Sequence, residues 1–134
     1  MAWTTKNIVV NLPVKNLKKS VAFFRELGFI FDPLFTDEQG TCMILGDRIY
    51  VMLLEEERFQ TFTTKKIADA GRYTETILCI SANSRQDVDE LVNKALAAGG
   101  SRYSDPQDHG FMYGWSFQDP DGHLWEVMYM DESA

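Results

Sequence analysis

Residues 10–29, VNLPVKNLKKSVAFFRELGF, predict a β-strand followed directly by an amphipathic helix. Apolar side chains alternate with others up to Val14, which is the period of a strand. Asn16 is placed to cap a helix, apolar residues then recur at helical spacing, and Gly28 supplies the left-handed residue at which helices often stop. Segments rich in β-branched and aromatic residues come next and predict strands at 29–35, 41–45 and 49–54.

The same order of elements recurs in the second half of the chain. Residues 76–83, TILCISAN, predict a strand, and Ser84 and Asp87 have the spacing of a capping box for a helix that stops at Gly99. Further strands are predicted at 101–103, 111–117 and 123–130. The sequence therefore predicts an α+β fold of two βαβββ modules, with curved mixed sheets that enclose a cup and helices on the outer side.

The repeat also indicates how the domain is organised. Its period is about 70 residues and it occurs only twice, so two half-domains around a pseudo-twofold axis are expected rather than a solenoid. We predict a single domain over residues 1–134. Module one covers about 7–55, a linker or lid about 56–74, and module two about 75–130.

The charge balance argues against several kinds of partner. The 134 residues include 13 Lys and Arg and 20 Asp and Glu, so the formal net charge is −7. This excess repels phosphate backbones and anionic lipids, so neither nucleic acid nor a membrane surface is expected as a partner. No apolar stretch approaches the roughly 20 residues that cross a bilayer, and the first residues lack a signal-peptide pattern, so a cytoplasmic location is expected.

Neither cysteine belongs to a recognisable motif. Cys42 and Cys79 are isolated in apolar segments without CxxC spacing. A metal knuckle or a disulfide framework therefore has no support in the sequence, and both residues are expected to be buried free thiols.

Two polar residues are expected to face the cup. If the helix covers the Leu12 side of the first strand, Asn11 lies on the opposite side. In the last strand we assign Trp125 and Val127 to the helix side, which turns Glu126 inward between apolar neighbours. A carboxylate in that setting loses hydration and needs a reason to be present. Either it has a functional role, or it pairs with an Arg or Lys across the sheet or at a dimer contact.

Residues 105–115, DPQDHGFMYGW, supply the other candidates. His109 lies in a loop, where it can reach a ligand or cap the loop. Tyr113 and Trp115 belong to a strand of alternating aromatic residues, of which one half faces a cavity or an interface and the other half faces the core. Which half faces the cup stays open. The candidate set is Glu126 as the catalytic residue, with Asn11, His109, Tyr113 and Trp115 as ligand-binding residues.

The doubled order of elements resembles the glyoxalase, bleomycin-resistance and extradiol dioxygenase superfamily, also called vicinal oxygen chelate proteins. The resemblance is carried by residues 10–29 at the start of the first half and by residues 117–127, FQDPDGHLWEV, at the end of the second. It covers nearly the whole chain, and more narrowly it is similar to bacterial proteins labelled predicted lactoylglutathione lyases. It implies a homodimer, because related proteins often join two chains so that one completes the cup of the other.

The resemblance also implies where a metal would be held. Members with lyase or dioxygenase activity bind a divalent ion through side chains of the first and last strands of each half. The corresponding positions here are Val9, Ile77 or Thr76, Val51 or Met52, and Glu126. Only Glu126 matches a ligand position, and one carboxylate plus water would hold a divalent ion weakly. We therefore predict no metal site of the family type and no cofactor, and a dioxygenase is disfavoured.

The predicted function is binding of an aromatic or cationic small molecule in the sheet cavity. Glu126 and Asn11 would orient the ligand, and Trp115 or Tyr113 would stack on it. The alternative is a lyase or isomerase of the glyoxalase type, in which Glu126 is the general base acting on a thiol adduct of a 2-oxoaldehyde or a related metabolite. Without a metal, such an enzyme would need other donors, such as Asn11, Tyr113 or His109, to stabilise the enediolate oxygen.

Overall fold

A computed structural model of the protein describes residues 2–131. Between Ile67 and Ala68 the chain divides into two compact units. Each unit holds one mixed β-sheet and one longer helix, so the predicted α+β fold built from two related modules is confirmed. None of the helices within the described residues is both long and apolar enough to cross a membrane.

The first unit follows the predicted order of elements. Its helices and strands are β1 (Ile8–Val14), α1 (Leu17–Glu26), β2 (Ile30–Asp37), β3 (Gly40–Gly46), β4 (Ile49–Glu55) and the short helix α2 (Glu56–Phe59), which continues into a 3-10 turn at Gln60–Phe62. The strand order is β1-β4-β3-β2, with β1 parallel to β4 and the other pairs antiparallel. The short helix occupies the start of the segment expected to be a linker or lid.

Local bonds explain where α1 begins and ends. The side-chain oxygen of Asn16 accepts the backbone N–H of Lys19 at 3.1 Å, which confirms the predicted cap. The carboxylate of Glu55 accepts the backbone N–H of Leu17 at 3.2 Å, so the end of β4 also satisfies the first turn of the helix. Gly28 has a φ of +102° just after the helix, as its predicted role as a stop requires.

The second unit contains one strand more than predicted. Its elements are β5 (Ile77–Ser81), α3 (Arg85–Ala97), β6 (Ser101–Arg102), β7 (Gln107–Asp108), β8 (Met112–Gln118) and β9 (Leu124–Met130). The order is β5-β9-β8-β6, and β7 also pairs with β8. Residues 107–108 were expected to be loop, but the reversal at His109 and Gly110 returns the chain antiparallel to β8. The predicted cap at Ser84 is confirmed by its bond from the Asp87 N–H at 3.0 Å.

The core of the second unit lies between α3 and one face of the sheet. Phe117 and Trp125 are fully buried and stack with their ring centroids 6.3 Å apart. Val88 and Val92 of α3 are also fully buried, as is Val127 of β9. The assignment of Trp125 and Val127 to the helix side of the sheet is therefore confirmed.

Asp119 holds together the turn that joins β8 to β9. Its side chain is only 3% exposed. One carboxylate oxygen accepts the backbone N–H groups of Asp121 and His123, both at 3.0 Å, and the other accepts the indole N–H of Trp125 at 3.1 Å. Burial raises the pKa of the Asp119 carboxyl, while the nearby His123 and the indole N–H oppose that rise. The turn is thus tied to the core through a single carboxylate.

Gly122, in the same turn, is predicted to be far less tolerant of substitution than Gly99 after α3. Both have positive φ, +92° and +112°. A Cβ on Gly122 would lie 2.8 Å from the Gly71 Cα, whereas one on Gly99 would meet nothing within 4 Å. Gly99→Ala should therefore cost about 1 kcal/mol of unfolding free energy through φ alone, and Gly122→Ala about 3 kcal/mol. Urea denaturation measures the unfolding free energy of both variants. An equal loss in the two variants would contradict the close approach of Gly71 to Gly122.

Candidate functional site

Glu126 lies on the face of the second sheet that is opposite to α3. Within β9 its neighbours Trp125 and Val127 point into the core beneath α3, so Glu126 points the other way. Its cross-strand partners are Ser116 in β8 and Cys79 in the parallel strand β5. These three polar side chains therefore lie side by side across three strands.

A cavity of about 230 Å³ opens on this face. Apolar and aromatic side chains form most of its wall, namely Ile77, Tyr103, Met112, Trp115, Leu124 and Met128. The polar lining consists of Ser104, Asp105, Gln107, Ser116 and Glu126. Among the described residues that line the cavity there is no Lys or Arg. The arrangement is thus an apolar cavity whose charged groups are both acids.

The segment between β6 and β7 is held against β8 by two hydrogen bonds. The hydroxyls of Ser104 and Ser116 lie 2.7 Å apart, and the indole N–H of Trp115 donates to the Ser104 carbonyl oxygen at 2.8 Å. Asp105, in the same segment, forms an ion pair with Arg102. These contacts fix one wall of the cavity. Of the two acids that line the cavity, Glu126 is the one that has no Lys or Arg partner within residues 68–131.

Cys79 is exposed, so the expectation that both cysteines are buried is wrong for this residue, although Cys42 is buried. Its position on the open face of β5 explains the exposure. Partial shielding from water, followed by the hydrogen bond that the thiol donates to Glu126 and the charge of that carboxylate, raises the pKa of Cys79 to about 11. At neutral pH the group next to Glu126 is therefore a thiol that donates a hydrogen bond.

The structure does not bring Tyr113 together with Glu126. Tyr113 lies on the α3 side of β8, where its hydroxyl donates to Asp89 at 2.6 Å and the Arg85 guanidinium lies 5.3 Å from its ring centroid. The bond to Asp89 is the main cause that raises the pKa of Tyr113 to about 12. Because side chains alternate along a strand, Trp115 shares that side, but its indole reaches the edge of the cavity.

The other two candidate residues lie outside this cavity. His109 is exposed in the turn between β7 and β8, where its backbone N–H donates to the Met112 carbonyl at 2.8 Å. Arg85 fixes that turn through an ion pair with Asp108 at 2.7 Å and a bond to the Gly110 carbonyl. Asn11 is an exposed residue of β1 in the first unit.

Sequence reasoning missed Ser116 and Cys79 as neighbours of Glu126. The turn at residues 119–122 was recognised, and counting outward from it pairs residue 118 with 124 and therefore 116 with 126. The signal for Ser116 was thus present in the sequence. Cys79 could not be found in this way, because the register of a parallel pair is not set by a hairpin turn.

A comparison with family models identifies the group to which these modules belong. The model described as Glyoxalase/Bleomycin resistance protein/Dioxygenase superfamily matches residues 7–127. The chain belongs to this superfamily. The resemblance drawn from residues 10–29 and 117–127 is therefore confirmed.

Several solved structures share the superfamily fold. The hypothetical protein SA1046 from S. aureus is 28% identical, with 95% of each chain covered and a TM-score of 0.81. The fosfomycin resistance protein FosX from Listeria monocytogenes is 20% identical over 96% of this chain and 92% of that one, with a TM-score of 0.66. A lactoylglutathione lyase from Agrobacterium tumefaciens is 19% identical over 91% of each chain, with a TM-score of 0.65. No curated protein sequence matches the chain significantly.

The donor set of this superfamily member does not fit a metal of the family type. On the Glu126 face, β5 presents Ile77, which has no donor atom, and Cys79, which is protonated at neutral pH. In the first unit Glu55 already accepts the N–H of Leu17. Within residues 2–131 no three His, Cys, Asp or Glu side chains gather closely enough to hold a metal ion. That the protein works without a cofactor stays a prediction.

The contact between Cys79 and Glu126 predicts unusual thiol chemistry. At pH 8 a pKa of about 11 instead of 9.0 leaves about 100-fold less thiolate, so iodoacetamide should alkylate Cys79 slowly despite its exposure. Glu126→Gln removes the neighbouring negative charge and should raise the rate several-fold. Glu90→Gln, on α3, should leave the rate unchanged. Mass spectrometry of the Cys79 peptide measures the rates, and equal rates in wild type and Glu126→Gln would contradict the contact.

Proposed function

We propose that this superfamily member binds a small organic cation in the cavity beside Glu126. The observation that carries the proposal is a half-buried carboxylate without a Lys or Arg partner in its own unit, placed among apolar and aromatic walls. Leaving such a group unpaired is costly, and a bound cation would offset that cost. The ligand would therefore supply the positive charge that the protein lacks at this point.

The size and lining of the cavity restrict the ligand further. A volume of about 230 Å³ is below the roughly 300–1,000 Å³ that is typical of sites for drug-sized molecules, so a ligand with one ring or a short chain fits best. Met112 and Met128 offer flexible apolar contacts. Tyr103, exposed at the edge, is available to stack on a ring or a cation, whereas the Trp115 ring is buried and already has the Arg102 guanidinium 5.9 Å from its centroid. The Ser116 hydroxyl would form a hydrogen bond with a second polar group of the ligand.

The names of relatives refer to small molecules. The superfamily description includes bleomycin resistance, and FosX is described as a fosfomycin resistance protein. The unsuitable metal donors support a binding role over the lyase alternative for this chain, since a glyoxalase-type step without a metal loses several kcal/mol of transition-state stabilisation. We also propose a cytoplasmic location for the protein.

Benzylammonium and benzyl alcohol form a matched pair of probes for this proposal. We expect the cation to bind more tightly than the alcohol, because a hydrogen bond to a charged group contributes about 1.5–3 kcal/mol. Glu126→Gln should lower the affinity for benzylammonium about tenfold or more and leave the affinity for benzyl alcohol unchanged. Glu90→Gln, which removes the same charge from the opposite side of the second unit, should change neither affinity. Isothermal titration calorimetry measures all six combinations.

Two outcomes would overturn the proposal. The first is an equal affinity for the two probes, or an affinity for the cation that Glu126→Gln does not change. The second is turnover of a methylglyoxal–glutathione hemithioacetal that Glu126→Gln abolishes, because it would assign the carboxylate to the general-base role of a lyase. Adding Ni or Zn to the hemithioacetal assay tests whether a metal restores the activity of the family.

We also propose that the protein is a homodimer. Several large apolar side chains are largely exposed in the single chain, including Trp3 at 89%, Leu34 at 86% and Phe62 at 65%. Burial of such surface against a second copy would be favourable. Sedimentation at micromolar concentration should give about twice the chain mass of 15.3 kDa. A species with the mass of one chain would contradict this expectation.

A further inference from the structure

A groove of about 530 Å³ lies in the first unit between α1 and β2, and the proposed function does not use it. Its β2 wall includes the segment in which the pairing of β2 with β3 is irregular, between Asp32 and Asp37. Strand irregularities of this kind are common next to binding sites, where they redirect side chains. The groove therefore adjoins a specific break in the pairing of the sheet.

The irregular segment is held in one conformation by its own hydrogen bonds. The Asp32 carboxylate accepts the backbone N–H of Leu34 at 3.0 Å, and the Thr36 hydroxyl donates to the Asp32 carbonyl at 2.7 Å. The hydroxyls of Thr36 and the buried Thr41 lie 2.8 Å apart. These bonds satisfy the polar groups that the interrupted ladder would otherwise leave open. The wall of the groove is thus built into the fold.

Two cations on α1 line this groove. Lys18 and Arg25 are seven residues apart, which places them on the same face of the helix, and both are exposed. Neither forms an ion pair within the described part of the first unit. The guanidinium of Arg25 lies 5.6 Å from the centroid of the Phe31 ring, which holds it at one end of the groove.

The rest of the lining is mostly apolar, with Thr36, Asp37 and Thr41 as its polar members. Its apolar members are Leu17, Val21, Ala22, Phe31 and Pro33. The acid at the rim, Asp37, is already paired with Arg58 at 3.0 Å, so it does not neutralise Lys18 or Arg25. Seven residues of helix rise about 10 Å, so the two side chains leave the helix about 10 Å apart along its axis. The groove therefore presents a cation, an apolar stretch and a second cation in line.

We propose that this groove is a second ligand site and that it takes an organic dianion with an apolar middle, such as a linear dicarboxylate whose carboxylates lie about 10 Å apart. Arg25 would hold one carboxylate in a bidentate contact, and Lys18 would attract the other. The apolar chain would cover Val21 and Ala22 on α1. The site prefers anions, so it is independent of the cavity beside Glu126, where a cation is expected.

A series of carboxylates tests the proposal on the intact protein. Octanedioate matches the span, butanedioate is too short to reach both cations, and octanoate has the apolar chain but only one charge. We expect octanedioate to bind most tightly by isothermal titration calorimetry. Lys18→Gln and Arg25→Gln should each lower the affinity for octanedioate about fivefold, and the double variant should lower it about twentyfold. Arg25→Lys keeps the charge and should lose less affinity than Arg25→Gln.

Two control variants show whether octanedioate binds in the groove rather than elsewhere on the protein. Lys94→Gln makes the same change of charge on α3 in the second unit and should leave octanedioate binding unchanged. Glu126→Gln should also leave it unchanged, which distinguishes the groove from the cavity. The proposal is overturned if octanedioate does not bind at concentrations up to about 10 mM, if it binds no better than butanedioate, or if the double variant binds it as well as the wild type.

Discussion

The register of the hairpin between β8 and β9 determines whether Glu126 is available to a ligand at all. Asp119 fixes that register, because its carboxylate accepts N–H groups from the turn and from Trp125, the residue before Glu126. A slip by one residue would place Trp125 on the open face and Glu126 in the core beneath α3. An unpaired carboxylate there would cost several kcal/mol, so the buried Asp119 turn keeps Glu126 on the open face of the sheet.

The features that the sequence predicted well are those decided by neighbours in the chain. Asn16 and Ser84 cap helices through bonds that span three residues, and Gly28 ends α1 through its own φ. The two modules follow from such local signals taken in order. Strand β7 was missed because two residues without apolar alternation carry no strand signal, and only pairing with β8 makes Gln107–Asp108 a strand.

The candidate site was less predictable, because its chemistry depends on partners that are distant in sequence. Glu126 was found through alternation along its own strand. Alternation could not decide whether the half of β8 that contains Tyr113 faces Glu126, and the structure shows that Asp89 and Arg85 on α3 give the Tyr113 phenol its contacts on the other face. Cys79 was expected to be buried because its neighbours are apolar, but in a sheet covered by a helix on one side alternate residues of even an apolar strand reach the open face.

The irregular course of β2 also protects an exposed sheet edge. It is one of the two edge strands of the first sheet, and a proline with a break in pairing discourages a second chain from adding there. Protection of the edge explains Pro33 and the register shift between Asp32 and Asp37. It does not account for Lys18 and Arg25, which lie on the facing helix and contribute nothing to the edge. A bound anionic ligand would explain why both cations lie along the groove.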